Sequence, residues 1–277
     1  MLSMASLEKI LQITRFSAYT LVGLAILHGL LVIALKRREK SETLCNIGIY
    51  AGYSLVKNLL TASLTLTAFS FVYRYRIFAI PNTILAVFTC IMLADFLYYW
   101  KHRLEHRSRI LWVAHATHHS SHEFNLSTAL RLPWLSPLYS WAAYAPLCLL
   151  GFHPIMVIMA AAVVLTYQFL IHTELVGRHK WLDSFLNSPS NHRVHHGSNA
   201  EYLDRNYAGI FMFWDHLFGT YAKEQAPVRY GLTTPINTTN PAQVNFMEVA
   251  ALLKDLSTAK KFRTGLKVLL GPPGTEK

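Results

Sequence analysis

Nine of the fourteen histidines in this 277-residue chain gather at four places. "HRLEH" carries His102 and His106, spaced i, i+4. "HATHH" carries His115, His118 and His119, spaced i, i+3, i+4. "IHTE" carries His172, and "HRVHH" repeats the second spacing with His192, His195 and His196. On a helix each set projects from one side. Random placement of the histidines would give roughly 0.04 copies of His-x-x-His-His, whereas the chain has two. Packed imidazoles repel one another when protonated, and buried neutral ones need partners. Metal coordination satisfies both demands and accounts for the spacing. One zinc takes about four ligands, so eight or nine histidines imply two ions. Neutral imidazole suits zinc, copper, iron and nickel. An oxygen-activating iron pair acting on a lipid and a zinc pair doing hydrolysis both fit these residues.

Lone histidines are treated differently. His28, His153, His179 and His216 read as ordinary hydrogen-bonded residues. "HRLEH" is also His-x-x-Glu-His, the inverted zinc-peptidase signature, in which Glu105 would be the general base and Glu174 a distant ligand. That reading leaves both His-x-x-His-His sets idle, so Glu105 is expected to be a solvated helix-face charge. A metal transporter would spread its histidines along a path through the bilayer, and these gather on one face.

The elements that must position the clusters are greasy. The chain is 52% hydrophobic and 15% charged, high for a soluble protein of this size. Its net charge of +11 comes from Lys and Arg beside apolar runs. That pattern fits the positive-inside rule better than nucleic-acid binding. Cys45, Cys90 and Cys148 are far apart in apolar runs and suggest no disulfide framework and no zinc knuckle. Phe16–Leu35 is long enough to span a bilayer, and "KRREK" follows it where a cleavage site would stand in a signal peptide. Thr43–Phe71 is a second apolar region, interrupted by Lys57 and Asn58, and reads as one tilted span or a re-entrant pair. Pro81–Trp100 is a third span. Pro133–Leu150 and Pro154–Ile171 are a fourth and fifth, joined by "GFHP" in a tight hairpin. Roughly Val176–Lys277 is a polar cap with an amphipathic helix near Phe246–Leu256.

This topology puts 101–132 and everything after His172 on one side. Four Lys/Arg in 36–40 and five in 101–131, against two in 73–80, make that side cytoplasmic. The expected protein is therefore an all-α integral membrane protein with about four to five transmembrane helices. A cytosolic helical cap holds its histidine-rich dimetal site. Its expected parts are an N-terminal transmembrane region at 1–80, a catalytic domain at 81–241 and an amphipathic tail at 242–277. Asp95 sits two turns before His102 on the same helix face. An acid there is a functional candidate, and the partner of a ligating imidazole is its expected role.

The histidine series resembles the fatty acid hydroxylase superfamily, in the branch that holds sterol desaturases and alkylglycerol monooxygenase. "DFLYYWKHR" (95–103), "HHSSHEFNLSTALR" (118–131), "FLIHTEL" (169–175), "NSPSNHRVHHG" (187–197), "NYAGIFMFWDHLFGTY" (206–221) and "YGLTTPINTTNP" (230–241) carry the resemblance. It implies a membrane-embedded, O2-dependent oxidoreductase with two Fe ions (Fe2+/Fe3+), hydroxylating or desaturating a C–H bond of an ether lipid, sterol or fatty acyl chain. The implied ligands are His102, His106, His115, His118, His119, His172, His192, His195 and His196. Asn125, Asp215 and Tyr207 enter as further site candidates. Two positions depart from the pattern. Asn191 stands where relatives carry a histidine before "HRVHH", and Gln168 stands where some carry one a turn before His172. Relatives follow "HHSS" with an acidic or aromatic residue, so His122 is left out of the ligand set. No flavin, nicotinamide or haem fingerprint is present. A separate reductant is therefore implied, either a tetrahydropterin or an electron-transfer protein. The expected location is a bacterial inner membrane or the endoplasmic reticulum.

Overall fold

The computed structural model describes residues 3–34 and 40–274. Of the basic stretch 36–40, only Lys40 lies within the described residues. Among them the chain is helical apart from loops and two isolated bridges. Helix α1 (Met4–Ala34) is followed by α2 (Lys40–Val56), a wide turn at Lys57–Thr61, and α3 (Ala62–Arg74). Then come α4 (Ile84–Arg107) and α5 (Arg109–His119). Thr83 caps α4 by accepting from the Ala86 amide at 3.1 Å, satisfying one of the four orphan donors of a helix start. Ser108 is the only residue between α4 and α5, and its extended backbone turns α5 back along α4.

Among the described residues two helices, α1 and α4, are long and apolar enough to cross a membrane, or three spans if α2 and α3, bent by 49°, count as one. The sequence predicts four to five spans. The fourth expected span, Pro133–Leu150, is not one helix. It breaks into α6 (Ser136–Tyr139), a tight turn at Ser140–Ala143, and α7 (Ala145–Leu150). Pro133, Pro137 and Pro146 are the cause, because proline removes an amide donor and clashes with the preceding turn. The broken leg still lies along α4: Tyr139 Oη donates to Glu105 in the last turn of α4 at 2.7 Å, and the Ile77 amide, in the loop before α4, donates to Leu149 O at 2.8 Å. The return leg, α8 (Pro154–Leu170), is an apolar helix of 17 residues, at the short end of the lengths that span a bilayer. It packs on α4 through Cys90, Ala94, Met156, Val157, Ala160 and Val164, all buried.

Gly151 makes the turn between the two legs. Its φ is +117°, and a Cβ there would lie 2.1 Å from the Phe78 carbonyl oxygen. The left-handed backbone alone costs an L-residue about 1–2 kcal/mol. Gly151→Ala is therefore expected to lower thermal stability in detergent by more than this strain alone, because the Phe78 backbone must also move.

Past α8 the cap holds α9 (Leu182–Phe185), α10 (Pro189–His195), α11 (Phe213–Leu217), α12 (Pro241–Thr258) and α13 (Phe262–Leu270). Pro241 stands at the first position of α12, with Asn240 capping the Ala242 and Gln243 amides. Helices α12 and α13 pack on α5 through Val113, Leu252 and Val268. The expected tail thus lies against the helix that carries "HATHH".

Candidate metal centre

All nine clustered histidines meet at one end of α4. His102 and His106 come from its last two turns, and His115, His118 and His119 from the end of α5. His172 follows α8, and His192, His195 and His196 come from α10 and its cap. Their nitrogens form two groups. His102, His106, His115, His119 and His195 make one, and His118, His172, His192 and His196 the other, with the donor atoms of each group within 4.8 Å of one another. Each His-x-x-His-His motif serves both groups. From "HATHH", His115 and His119 face one and His118 the other. From "HRVHH", His192 and His196 face one and His195 the other. An i, i+4 pair reaches one centre while the residue between them turns to the next.

The protons are fixed by what lies behind the rings. His102 Nδ1 donates to Tyr207 O (2.9 Å), His118 Nδ1 to Arg131 O (3.3 Å), His172 Nδ1 to Gln168 O (2.8 Å) and His195 Nδ1 to Arg205 O (3.0 Å). A carbonyl can only accept, so each neutral ring carries its proton on Nδ1 and turns an Nε2 lone pair inward. His118 Nε2 and His172 Nε2 then face each other at 3.4 Å with no proton between them. Burial pushes the His118 imidazole down to about 4 and His195 to about 3. Burial and neighbouring imidazoles hold His119, His172, His192 and His196 well below their usual range. Opposed lone pairs of neutral rings repel, and a shared cation removes the conflict. The buried nitrogens His106 Nε2, His192 Nδ1, His195 Nε2 and His196 Nε2 also lack a hydrogen-bond partner.

The spacing suits coordination. Nitrogens about 2.0–2.1 Å from one ion lie about 3.0 Å apart at right angles and about 3.4 Å apart in a tetrahedron. His115 Nε2 is 3.0 Å from His102 Nε2 and 3.1 Å from His119 Nε2, while His172 Nε2 is 3.1 Å from His192 Nε2 and 3.4 Å from His118 Nε2. The donor set therefore fits two metal ions, one among five imidazoles and one among four.

The comparisons agree with this geometry. The sequence model of the fatty acid hydroxylase family matches residues 87–220. The chain is 39% identical to human alkylglycerol monooxygenase over 223 residues, 80% of this chain and 50% of that protein. It is 30% identical to an ornithine lipid hydroxylase of Rhizobium tropici over 138 residues, 50% and 42% of the two chains. It is 29% identical to a Delta(7)-sterol 5(6)-desaturase of Gibberella zeae over 134 residues, 44% and 37%. The chain spans about half the length of the curated relatives it matches. No solved structure matches.

Several site candidates lie away from the rings. Asp95 does not bond to an imidazole. It accepts from the Ile210 and Phe211 amides (2.7 and 3.0 Å) and from Trp214 Nε1 (2.9 Å). Two turns along a helix is about 10 Å, too far to reach back to His102. Asp215 accepts from the Tyr207 and Ala208 amides, both at 2.8 Å, and from Thr220 Oγ1 at 2.6 Å. Together the two aspartates hold the 207–211 loop, whose Tyr207 carbonyl fixes His102. Gly209 fits in that loop because a Cβ would lie 2.5 Å from Asp95 Oδ1. Tyr207 itself is buried with its ring 5.3 Å from His106. Asn125 folds a turn, accepting from the Ser127 amide and hydroxyl (2.8 and 2.7 Å). Asn191 donates to Asp183 O and Leu186 O at the end of α9 (2.7 and 3.0 Å). Gln168 serves through its main-chain carbonyl. His122 is exposed and belongs to neither group.

Asp215→Asn keeps the shape but loses one of the two carboxylate acceptors. Loosening an imidazole's support typically costs 10–100-fold in metal affinity. A loss of about that size is expected for the five-histidine group, read by chelator competition.

Two features escape the sequence reading. Glu105, expected to be solvated, is 1% exposed. It accepts from Tyr139 Oη (2.7 Å) and Lys101 Nζ (2.9 Å), with Oε2 3.6 Å from His115 Nδ1. It thus backs the His115 ring and does not face the donor atoms, as a peptidase base would. The N-terminal region also reaches the site. Glu42 of α2 pairs with buried Arg131 at 2.8 Å, and the Arg131 carbonyl is the acceptor for His118.

Proposed function

We propose that this chain is a di-iron, O2-dependent membrane oxidoreductase that hydroxylates a C–H bond of a membrane lipid. The carrying observation is the pair of adjacent imidazole groups with their Nε2 atoms turned inward. His102, His106, His115, His119 and His195 would hold one iron, and His118, His172, His192 and His196 the other. Five donors exceed the four of a closed zinc site, which supports iron over a zinc hydrolase. When bound, the iron pair supplies the reduction of O2 and the cleavage of the C–H bond.

The chain's own residues supply position and dryness. Burial keeps the rings neutral, and main-chain carbonyls of Tyr207, Arg131, Gln168 and Arg205 orient them. Phe124 stacks on His172 at 5.4 Å and on Tyr230 at 5.2 Å, shielding the four-histidine group from water. Net hydroxylation takes one O2, two electrons and two protons, releasing one water. A separate donor, a tetrahydropterin or an electron-transfer protein, brings the electrons. The basic residues around the histidine end of α4 support a cytosolic active site.

The similarity to alkylglycerol monooxygenase makes an ether-linked glycerolipid the first substrate to try. Purified protein in lipid, given such a substrate, a reduced pterin and isotopically labelled O2, should yield a product carrying the label. An unlabelled product with a new double bond would reassign the chain as a desaturase. Turnover without O2 would reassign it as a hydrolase.

A further inference from the structure

The lower half of α4 exposes Ile84, Leu85 and Phe88, as a lipid-facing helix does. From Ile91 to Trp100 no residue is exposed. Asp95 holds the Ile210 and Phe211 amides, Phe96 packs on Trp214 at 4.9 Å, and Phe218 stacks on Tyr99 at 5.3 Å. Phe96 is four residues before Trp100, so α11 lies about 6 Å inside the apolar end of the span. Whatever covers a span at that depth must itself face lipid. The outer side of the cover is apolar: Trp181 is 76% exposed, Phe185 61%, Phe213 56% and Leu217 58%. Helices α9 and α11 present these side chains together, because the Met212 amide donates to Phe185 O (3.0 Å) and His216 Nε2 to Ser184 O (3.2 Å). Exposed Arg178 and Lys180 stand just before Trp181. Aromatic rings beside cations are the composition of a membrane interface.

We propose that 178–218 forms a second, in-plane membrane contact. Trp181, Phe185, Phe213 and Leu217 enter the acyl region beside α4, and Arg178 and Lys180 meet anionic lipid headgroups. The contact rests on the reading of α4 as a span. It deepens the proposed function by setting the 207–211 loop, and so His102, beside the bilayer from which a lipid substrate arrives.

Nitroxide labels test this in the full-length protein, with Cys45, Cys90 and Cys148 replaced by alanine. Phe185→Cys, Phe213→Cys and Leu217→Cys carry the label in turn, in vesicles of phosphatidylcholine and phosphatidylglycerol. Leu85→Cys on α4 is the lipid reference and Lys223→Cys the aqueous one. The proposal expects all three labels to favour O2 over a nickel chelate severalfold more than the Lys223 label does. Accessibility matching Lys223, with Leu85 still in lipid, overturns the contact alone. A Leu85 label open to the chelate overturns the α4 span and the contact with it.

Discussion

His115→Ala is expected to empty the five-histidine group and abolish O2-dependent lipid oxidation while the helical content stays near that of the parent. His115 Nε2 stands 3.0 Å from His102 Nε2 and 3.1 Å from His119 Nε2, so its loss separates donors from two helices. Removing a partner that merely supports a ligand costs about 10–100-fold in metal affinity. Removing the donor should exceed the top of that range. Bound metal per chain, circular dichroism and turnover check this together. The exposed His122, in neither group, provides the control, and His122→Ala should keep full metal and turnover. Equal metal content in the two variants would sink the assignment of His115.

The second large effect lies far from the histidines in sequence. Glu42 accepts from Ser121 Oγ (2.9 Å) and the His122 amide (3.2 Å) besides its pair with Arg131. Arg131 also donates to Asn46 Oδ1 and to Ser120 Oγ (2.6 Å). Both side chains are buried, at 7% and 1% exposure. Breaking such a pair strands a charge and typically costs about 3–5 kcal/mol, whereas replacing both partners by apolar residues is often neutral. Glu42→Ala should therefore show a large drop in thermal stability in detergent. Glu42→Leu with Arg131→Met should recover much of it. Because the Arg131 carbonyl holds His118, Glu42→Ala should also weaken metal binding at the four-histidine group before the five-histidine one. A double variant no more stable than Glu42→Ala would show that the charge pair is not the source of the loss.

The gathering of the nine histidines is legible because its signal is local: an i, i+3, i+4 spacing survives in one dimension. The match of residues 87–220 to the fatty acid hydroxylase family model is legible for the same reason, through motifs that hold their spacing. The supporting contacts were not, because they join residues far apart in sequence. Nothing near Glu42 announces that it will meet Arg131, 89 positions later, nor does Asp215 show that it will reach His102 through the Tyr207 backbone. Glu105 was misread for a related reason, since a helix-face glutamate looks solvated until Tyr139, Lys101 and His115 close around it. Apolar length also misled. Pro133–Leu150 has the composition of a span, but its prolines break the helix, and a hydropathy count does not weigh an absent amide. Asp95 shows the converse error: the helix face was read correctly, but the distance to His102 and the waiting amides of Ile210 and Phe211 decide its partner.

The most direct test of a paired-metal oxidoreductase is elemental analysis of protein purified without added metal, with turnover assayed with and without O2. Two irons per chain and activity that stops when O2 is removed are the predicted result. Zinc in place of iron, with turnover unchanged in the absence of O2, would contradict it.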